Sequence, residues 1–344
     1  MKLALLGFGT VGQGLAEIID RKRESIHKET GVNLDIVAIS DVMKGAIYNP
    51  NGLNVTKTLD AIKTGGHLSY YPDEKDLIRG KDSFATIQET NADVIVEVTY
   101  TDVKTGQPAI DHCKTAFQCG KHVVLSNKGP VALAFQPLTE LAQKHNVRFG
   151  IEGTVMSGTP ALRMPLTSLI GNDITEIRGI LNGTTNYILT KMEEGFPFED
   201  ALKDAQEKGY AEADPTSDIK GYDAKYKVVI LANTVLGIPL QVDDVECIGI
   251  DTLTMEDIQQ AKKEGYRWKL LGKITKHKSG VEATVKPEKI SENDPLASVY
   301  GAVNAIQFDC DLAGPITLTG AGAGRLETGY SLLVDILNIA RNQL

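Results

Sequence analysis

The sequence predicts an α/β protein in which a doubly wound parallel sheet precedes a second, α+β domain, and three observations carry that prediction. The first 31 residues read as strand, glycine turn and helix. Short β-branched runs then alternate with helical stretches as far as Ile151, as strands buried on both faces of a parallel sheet must. Beyond Ile151 the alternation gives way to grouped helices interleaved with isolated strands.

Taken in order, Lys2 to Leu6 is an apolar run closed by Gly7. Leu15, Ile18, Ile19 and Ile26 follow at near-helical spacing up to Gly31, a helix stop. Further strands are predicted at 34–39, 94–98, 123–125 and 147–151. One helix starts near Pro108, where proline suits the first turn, and ends at Gly120; another covers about Gln136 to His145. Right-handed crossovers would join these strands. After Ile151, helices are expected from about Ala161, Thr184, Phe198 and Asp218, with strands at 174–181 and 268–275. Thr254 and Asp257 form a capping box for a helix ending at Gly265. A glycine loop and an apolar-faced helix close the chain and should return to the first domain. The expected domains are 1–151, 152–315 and the returning segment 316–344.

Length and composition fit roughly two soluble folding units. A net charge of −9 argues against a nucleic-acid or anionic-membrane partner, both of which need a basic face. The four cysteines show neither a CxxC pair nor metal spacing, which suits a reduced, cytoplasmic protein. The N-terminus lacks a signal-peptide pattern, and no apolar run approaches the ~18 residues of a membrane span.

Gly7-Phe8-Gly9-Thr10-Val11-Gly12 matches GxGxxG between the first strand and the first helix, the context of a Rossmann-type dinucleotide site. Gly7 makes the tight turn, Gly9 admits the pyrophosphate, Gly12 lets helix meet strand, and the helix N-terminus faces the diphosphate. Asp41 closes the second strand and is the acid for the adenosine ribose, although it lies 29 residues beyond Gly12 rather than the usual ~20. Asp41 favours NAD, whereas Lys44 and Lys57 could meet the 2′-phosphate of NADP. The residues leave that choice open.

Two lysines are candidates for chemistry. Lys128 follows the strand 123–125 and so lies at a strand's carboxyl end, where open α/β sheets bind ligands, although a surface loop lysine would read the same way. Lys227 heads the apolar run 228–232, with Asp223 one helical turn earlier. Spacing alone fits an ordinary surface ion pair as well as a desolvated catalytic lysine.

Three blocks carry a resemblance. Residues 181–189 (LNGTTNYIL), 209–227 (GYAEADP through Asp218, Gly221, Asp223 and Lys227) and 126–130 (SNKGP) resemble the signatures of homoserine dehydrogenase, in that family's order and over essentially the whole chain. The resemblance implies NAD(P)H-dependent, reversible reduction of L-aspartate 4-semialdehyde to L-homoserine, in the biosynthesis of threonine, methionine and isoleucine. An ammonium aimed at the carbonyl oxygen would supply the proton that the forming alkoxide needs. By the family pattern that is Lys227, with Lys128 a second ammonium at the same oxygen. Glu212 would bind the substrate's α-ammonium, Asp223 would hold substrate and orient Lys227, and Asp218 would support them.

The same resemblance places Thr99 and Lys128 near the nicotinamide ribose and oxygen, and Gly209 and Gly322 along the cofactor. It implies a monovalent cation, Na⁺, held by carbonyls of Glu152, Val155, Ser157 and Thr159, although Met156-Ser157 stands where many relatives carry smaller residues, often glycines. It further implies a homodimer formed through the second domain's sheet, with 174–181 a plausible strand. The form expected is the single-function one, without an aspartate kinase or a C-terminal regulatory domain. Two rival readings are a related dehydrogenase for another amino-acid semialdehyde or hydroxy acid, and a nonenzymatic dinucleotide sensor. The acidic net charge offers such a sensor no basic DNA-reading module.

Overall fold

The computed structural model describes residues 1–102, 104–278 and 280–343. Its chain forms two compact units, Met1–Thr154 with Gly324–Leu344, and Val155–Ala323. The first unit runs through β1 (Lys2–Leu6), α1 (Thr10–Thr30), β2 (Asp35–Asp41), β3 (Gly45–Tyr48), α2 (Val55–Gly65), β4 (Ile78–Arg79) and α3 (Ser83–Glu89). It continues with β5 (Val94–Glu97), α4 (Ala109–Gln118), β6 (His122–Leu125), α5 (Lys128–Lys144) and β7 (Phe149–Gly150).

The strand order is β4-β3-β2-β1-β5-β6-β7. From β2 to β7 all neighbours are parallel. The chain leaves β1 to form β2 on one side and returns to form β5 on the other, so the carboxyl ends of β1 and β5 flank a topological switch point. The far edge differs from a purely parallel sheet. Only residues 42–44 separate β2 from β3, too few for a crossover, so β3 folds back antiparallel on β2 and β4 on β3.

Glycines set the fit of the returning C-terminal helix, Arg325–Ala340, against α1. A Cβ on Gly14 would lie 2.1 Å from the Arg325 carbonyl oxygen, and one on Gly329 would lie 2.7 Å from the Leu15 nitrogen. Leu332, Leu333 and Ile336 thereby join Leu15, Ala16 and Ile19 in one core.

The helix expected from about Gln136 begins earlier, at Lys128, where Asn127 caps it. Ala134 breaks it at φ −145°, just ahead of Pro137, and only the second half carries the pattern visible in the sequence. Of the strand expected over 147–151, β7 keeps Phe149–Gly150.

The second unit contains α6 (Arg163–Ser168), β8 (Ile174–Ile180), α7 (Gly183–Glu193), α8 (Phe198–Glu207), α9 (Thr216–Ile219), α10 (Tyr222–Thr234) and β9 (Glu246–Cys247). After these come α11 (Met255–Lys263), β10 (Tyr266–His277), β11 (Gly280–Ser291), β12 (Val303–Cys310) and β13 (Gly314–Ala321); the returning helix is α12. The sheet order is β13-β12-β8-β10-β11-β9, antiparallel but for β9 on β11. α10 comes close to the sheet at Gly272, where a Cβ would lie 2.8 Å from the side chains of both Leu181 and Val228. The Thr254–Asp257 capping box starts α11 as expected.

The boundary drawn at residue 316 needs correction. β13 pairs along its length with β12, so residues 316–323 belong to the second unit and the return starts at Gly324. Leu344, the last residue of the expected returning segment, lies outside the described residues. Among the described residues no helix is long and apolar enough to cross a membrane.

Candidate active site

In the first unit the glycine loop sits at the end of β1. Gly7 has φ +91°, and a Cβ there would meet the Val98 carbonyl oxygen at 2.6 Å; a Cβ on Gly12 would meet the Gly7 oxygen at 2.7 Å. Gly9 is different, because a Cβ there would find nothing within 4 Å. Packing therefore explains two of the glycines, and the third leaves open space in front of the helix. Gly9 is also the N-cap of α1 and provides no side-chain cap for Thr10, Val11 and the residues after them, an arrangement suited to an anion.

Asp41 ties this loop to β2. Its Oδ2 accepts the Phe8 N–H at 2.6 Å, and its Oδ1 accepts the N–H groups of Met43 and Lys44, each at 2.9 Å. Burial pushes the carboxyl up, but the three backbone donors outweigh it and the net shift is downward. Lys57 is paired with Glu74 at 2.7 Å, which occupies one of the two lysines considered for a 2′-phosphate.

At the end of β5, Thr99 donates its N–H to Glu97 Oε1 at 2.8 Å. Asn127 Nδ2 reaches the Thr99 and Tyr100 carbonyls, both at 3.3 Å, while its Oδ1 accepts the Gly129 N–H at 3.0 Å. Lys128, the first residue of α5, is thus half-buried rather than on a free loop.

The second unit decides the ambiguity of Asp223 and Lys227. Lys227 is only 6% exposed. Its ammonium donates to the Leu181 carbonyl at 2.5 Å and to Asp223 Oδ2 at 2.7 Å. A third N–H finds no partner among the described residues. Asn182 connects the acids, donating to Asp218 Oδ1 at 2.7 Å and Asp223 Oδ2 at 2.9 Å while its Oδ1 accepts the Thr185 N–H and caps α7. Burial, and after it the Asp223 charge, push the Asp218 carboxyl above its ordinary value. This is a desolvated cluster and not a surface ion pair.

The other expected site residues belong to other segments of the chain. Glu212 is exposed, and among the described residues its carboxylate has no hydrogen-bond or ion-pair partner. Gly209 (φ +74°) ends α8. Gly322 packs on Asn304, whose amide carbon would lie 2.3 Å from a Cβ. Each of these two glycines has a structural reason of its own. Glu152 belongs to the first unit, and Val155, Ser157 and Thr159 to the second. Met156 and Ser157 both adopt left-handed backbone (φ 56° and 53°), and the Thr159 carbonyl accepts the Ala161 N–H at 2.7 Å.

Two family descriptions match the chain: "Homoserine dehydrogenase, NAD binding domain" over residues 7–152 and "Homoserine dehydrogenase" over 160–337. The chain belongs to the homoserine dehydrogenase family. It is 43% identical over 340 residues to an NAD(+)-dependent homoserine dehydrogenase of Pseudomonas canavaninivorans, covering 98% of this chain and 96% of that one. It is 42% identical to a homoserine dehydrogenase of Methanocaldococcus jannaschii, with 98% of both chains covered. A solved structure of a hyperthermophilic archaeal homoserine dehydrogenase mutant in complex with NADPH superposes with a TM-score of 0.85 at 31% identity, covering 99% of this chain and 98% of that one. The chain is accordingly an NAD(P)-dependent oxidoreductase acting on a small molecule.

Sequence reasoning missed the part played by Asn182, which stood inside a recognised motif with no role given to it. An Asn followed by Gly-Thr-Thr is an N-cap signal, and that could have singled it out. The carbonyl of Leu181 carries no side-chain signal at all.

Gly9→Ala is expected to leave the unfolding midpoint within a few degrees of the parent while weakening dinucleotide binding; Gly7→Ala, which clashes with backbone, should destabilise by about 1–3 kcal/mol. Thermal melts and cofactor titration separate the two, and a Gly9→Ala protein with parental affinity would contradict the assignment.

For Asp218 the sign of the pH dependence follows from linkage. Because its folded pKa is raised, the ionised form costs stability above that pKa, and the cost disappears below the unfolded value near 3.8. Asp218→Asn should therefore be more stable than the parent near neutrality, with an advantage that shrinks as the pH falls through the raised pKa. Urea denaturation across pH measures it; a pH-independent difference would rule out desolvation as the cause.

Proposed function

We propose that this chain interconverts L-aspartate 4-semialdehyde and L-homoserine with Lys227 as the residue that moves the proton. The observation that carries this reading is the buried Lys227 ammonium, with two N–H groups committed to Leu181 and Asp223 and one remaining. Bound nicotinamide supplies or accepts the hydride. Lys227 directs its remaining N–H at the substrate oxygen, stabilising the developing alkoxide and delivering the proton; in oxidation it takes the proton back. Asp223 and the Leu181 carbonyl hold the ammonium in place. Lys128 contributes a second positive group at that oxygen. The uncommitted carboxylate of Glu212 suits the substrate's α-ammonium, and Asp218 orients Asp223 through Asn182.

The adenosine end favours NAD on this reading. Asp41 Oδ1 already takes two backbone donors, but Oδ2 takes one, so a lone pair remains for a ribose hydroxyl. Thr99, Gly209 and Gly322 complete the cofactor contacts. A monovalent cation would be held by the carbonyls of Glu152, Val155, Ser157 and Thr159; the two left-handed residues, Met156 and Ser157, give the loop the sharp turn such a site needs. The protein works as a cytoplasmic homodimer, with the exposed part of the second unit's sheet as the pairing surface.

The deciding assay follows nicotinamide absorbance with L-homoserine and either NAD⁺ or NADP⁺. The parent should reduce NAD⁺ with the higher kcat/KM, and Lys227→Met should lose about 10²–10⁴-fold in kcat while binding cofactor as before. Near-parental turnover by that variant would remove Lys227 from the proton-transfer role, and no homoserine-dependent signal from the parent would refute the reading as a whole. Replacing Na⁺ by tetramethylammonium should lower the parental rate, and sedimentation should return twice the chain mass. An unchanged rate or a monomer mass would refute the cation or the dimer respectively.

A further inference from the structure

We propose that Glu97 is a positioning residue for the dinucleotide site. Its carboxylate fixes the Thr99 turn and, through Asn127, the first turn of α5 that carries Lys128. The inference rests on the reading above for what Thr99 and Lys128 serve.

Glu97 closes β5, is fully buried, and lies next to the glycine loop: a Cβ on Gly7 would come 2.6 Å from the Val98 oxygen and 3.0 Å from the Thr99 nitrogen. A carboxylate in such a place is costly unless its oxygens are satisfied. Oε1 accepts both the N–H of Thr99, at 2.8 Å, and the Thr99 hydroxyl. Oε2 pairs with His112 Nδ1 at 2.5 Å.

His112 is itself 2% exposed, and its other ring nitrogen bonds to Ser83 Oγ at 2.8 Å. The Phe84 ring stands edge-on to the imidazole at 5.0 Å. Both ring nitrogens are thus engaged and the ring cannot turn, so α3 and α4 brace the carboxylate from behind. In front, the Thr99 carbonyl and hydroxyl accept from Asn127 Nδ2 at 3.3 and 3.4 Å, and Asn127 Oδ1 caps α5 at Gly129. One hydrogen-bonded path therefore runs Ser83, His112, Glu97, Thr99, Asn127, Gly129. A buried apolar residue would fill the position of Glu97 without the desolvation cost, so what the carboxylate contributes is orientation.

Glu97→Gln keeps the shape but removes the charge and replaces one carboxylate oxygen by an amide donor, so the Thr99 pair keeps only a neutral acceptor and His112 Nδ1 stays bonded only in the tautomer that accepts there and donates from Nε2 to Ser83. Titration of the full-length protein with NAD⁺ and with NADH, without substrate, should show Kd raised about tenfold, the factor of one charge-assisted hydrogen bond. In the homoserine assay kcat should fall with KM for homoserine nearly unchanged, and the melting temperature should stay within a few degrees. Thr99→Val, which removes only the hydroxyl, should weaken cofactor binding in the same direction. The double variant should be little worse than Glu97→Gln alone, whereas independent residues would multiply their losses.

Parental Kd and kcat in Glu97→Gln would overturn the proposal, as would multiplicative losses in the double variant. Should Glu97→Gln fail to fold, parental cofactor affinity in Thr99→Val overturns it equally. Cofactor binding without substrate tests the clamp by itself, and a parent protein that ignores homoserine would sink the reaction assignment and leave this measurement standing.

Discussion

An ammonium removed from water as far as that of Lys227 must find acceptors, or the site that holds it either loses the charge or loses stability. The second unit meets that requirement by stopping a strand early. β8 ends at Ile180 and α7 begins at Gly183, so the Leu181 carbonyl, belonging to neither ladder, is turned over to Lys227. Asp223 arrives from one helical turn away. This solution creates a second difficulty, because Asp218 lies close enough for the two carboxylates to repel. The Asn182 amide resolves it by donating to both, and the same side chain starts α7. Lysine, acids and helix are therefore parts of one arrangement.

The first unit separates folding constraints from ligand constraints at its glycines. Gly7, Gly12 and Gly14 all lie where a Cβ would strike backbone oxygen. These are demands of chain crossing, and any protein with this turn and this helix contact would face them. Gly9 faces no such demand, so the empty volume beside it is the part of the motif that packing does not require. The motif as a whole marks the turn, and only Gly9 is free of any packing demand.

Legibility in the sequence followed the range of the interactions. The β1–α1 turn and the Thr254–Asp257 cap are local, and both could be read because every participant lies within a few residues. The Asp223–Lys227 spacing was equally local yet ambiguous, since the same four-residue step serves a surface pair and a buried one and only tertiary burial distinguishes them. Asn182 meets its acids across 36 and 41 residues, a distance over which no periodicity operates. The β12–β13 pairing was overlooked because β13 contains Pro315 and Gly320 and is an edge strand only by virtue of its partner. Glu97 was hidden for the opposite reason: in a run of valines and isoleucine it reads as core, and so it is, with its carboxylate answered by Thr99 two residues on and by His112 from α4.

Each candidate lysine is placed by an asparagine that caps a helix. Asn127 accepts from Gly129 at the start of α5 and donates back to the Thr99 turn; Asn182 accepts from Thr185 at the start of α7 and donates to Asp218 and Asp223. Serine, threonine or aspartate can supply the acceptor that a helix start needs. Only asparagine, among the residues that cap well, also offers two N–H donors from the same planar group. At Asn127 those donors fix the backbone that leads from the buried Glu97 carboxylate, and at Asn182 they hold two acids around a buried ammonium. A cap chosen for the helix alone would leave these acceptors unsatisfied inside the protein, so helix initiation and the placement of charge are specified by the same atoms.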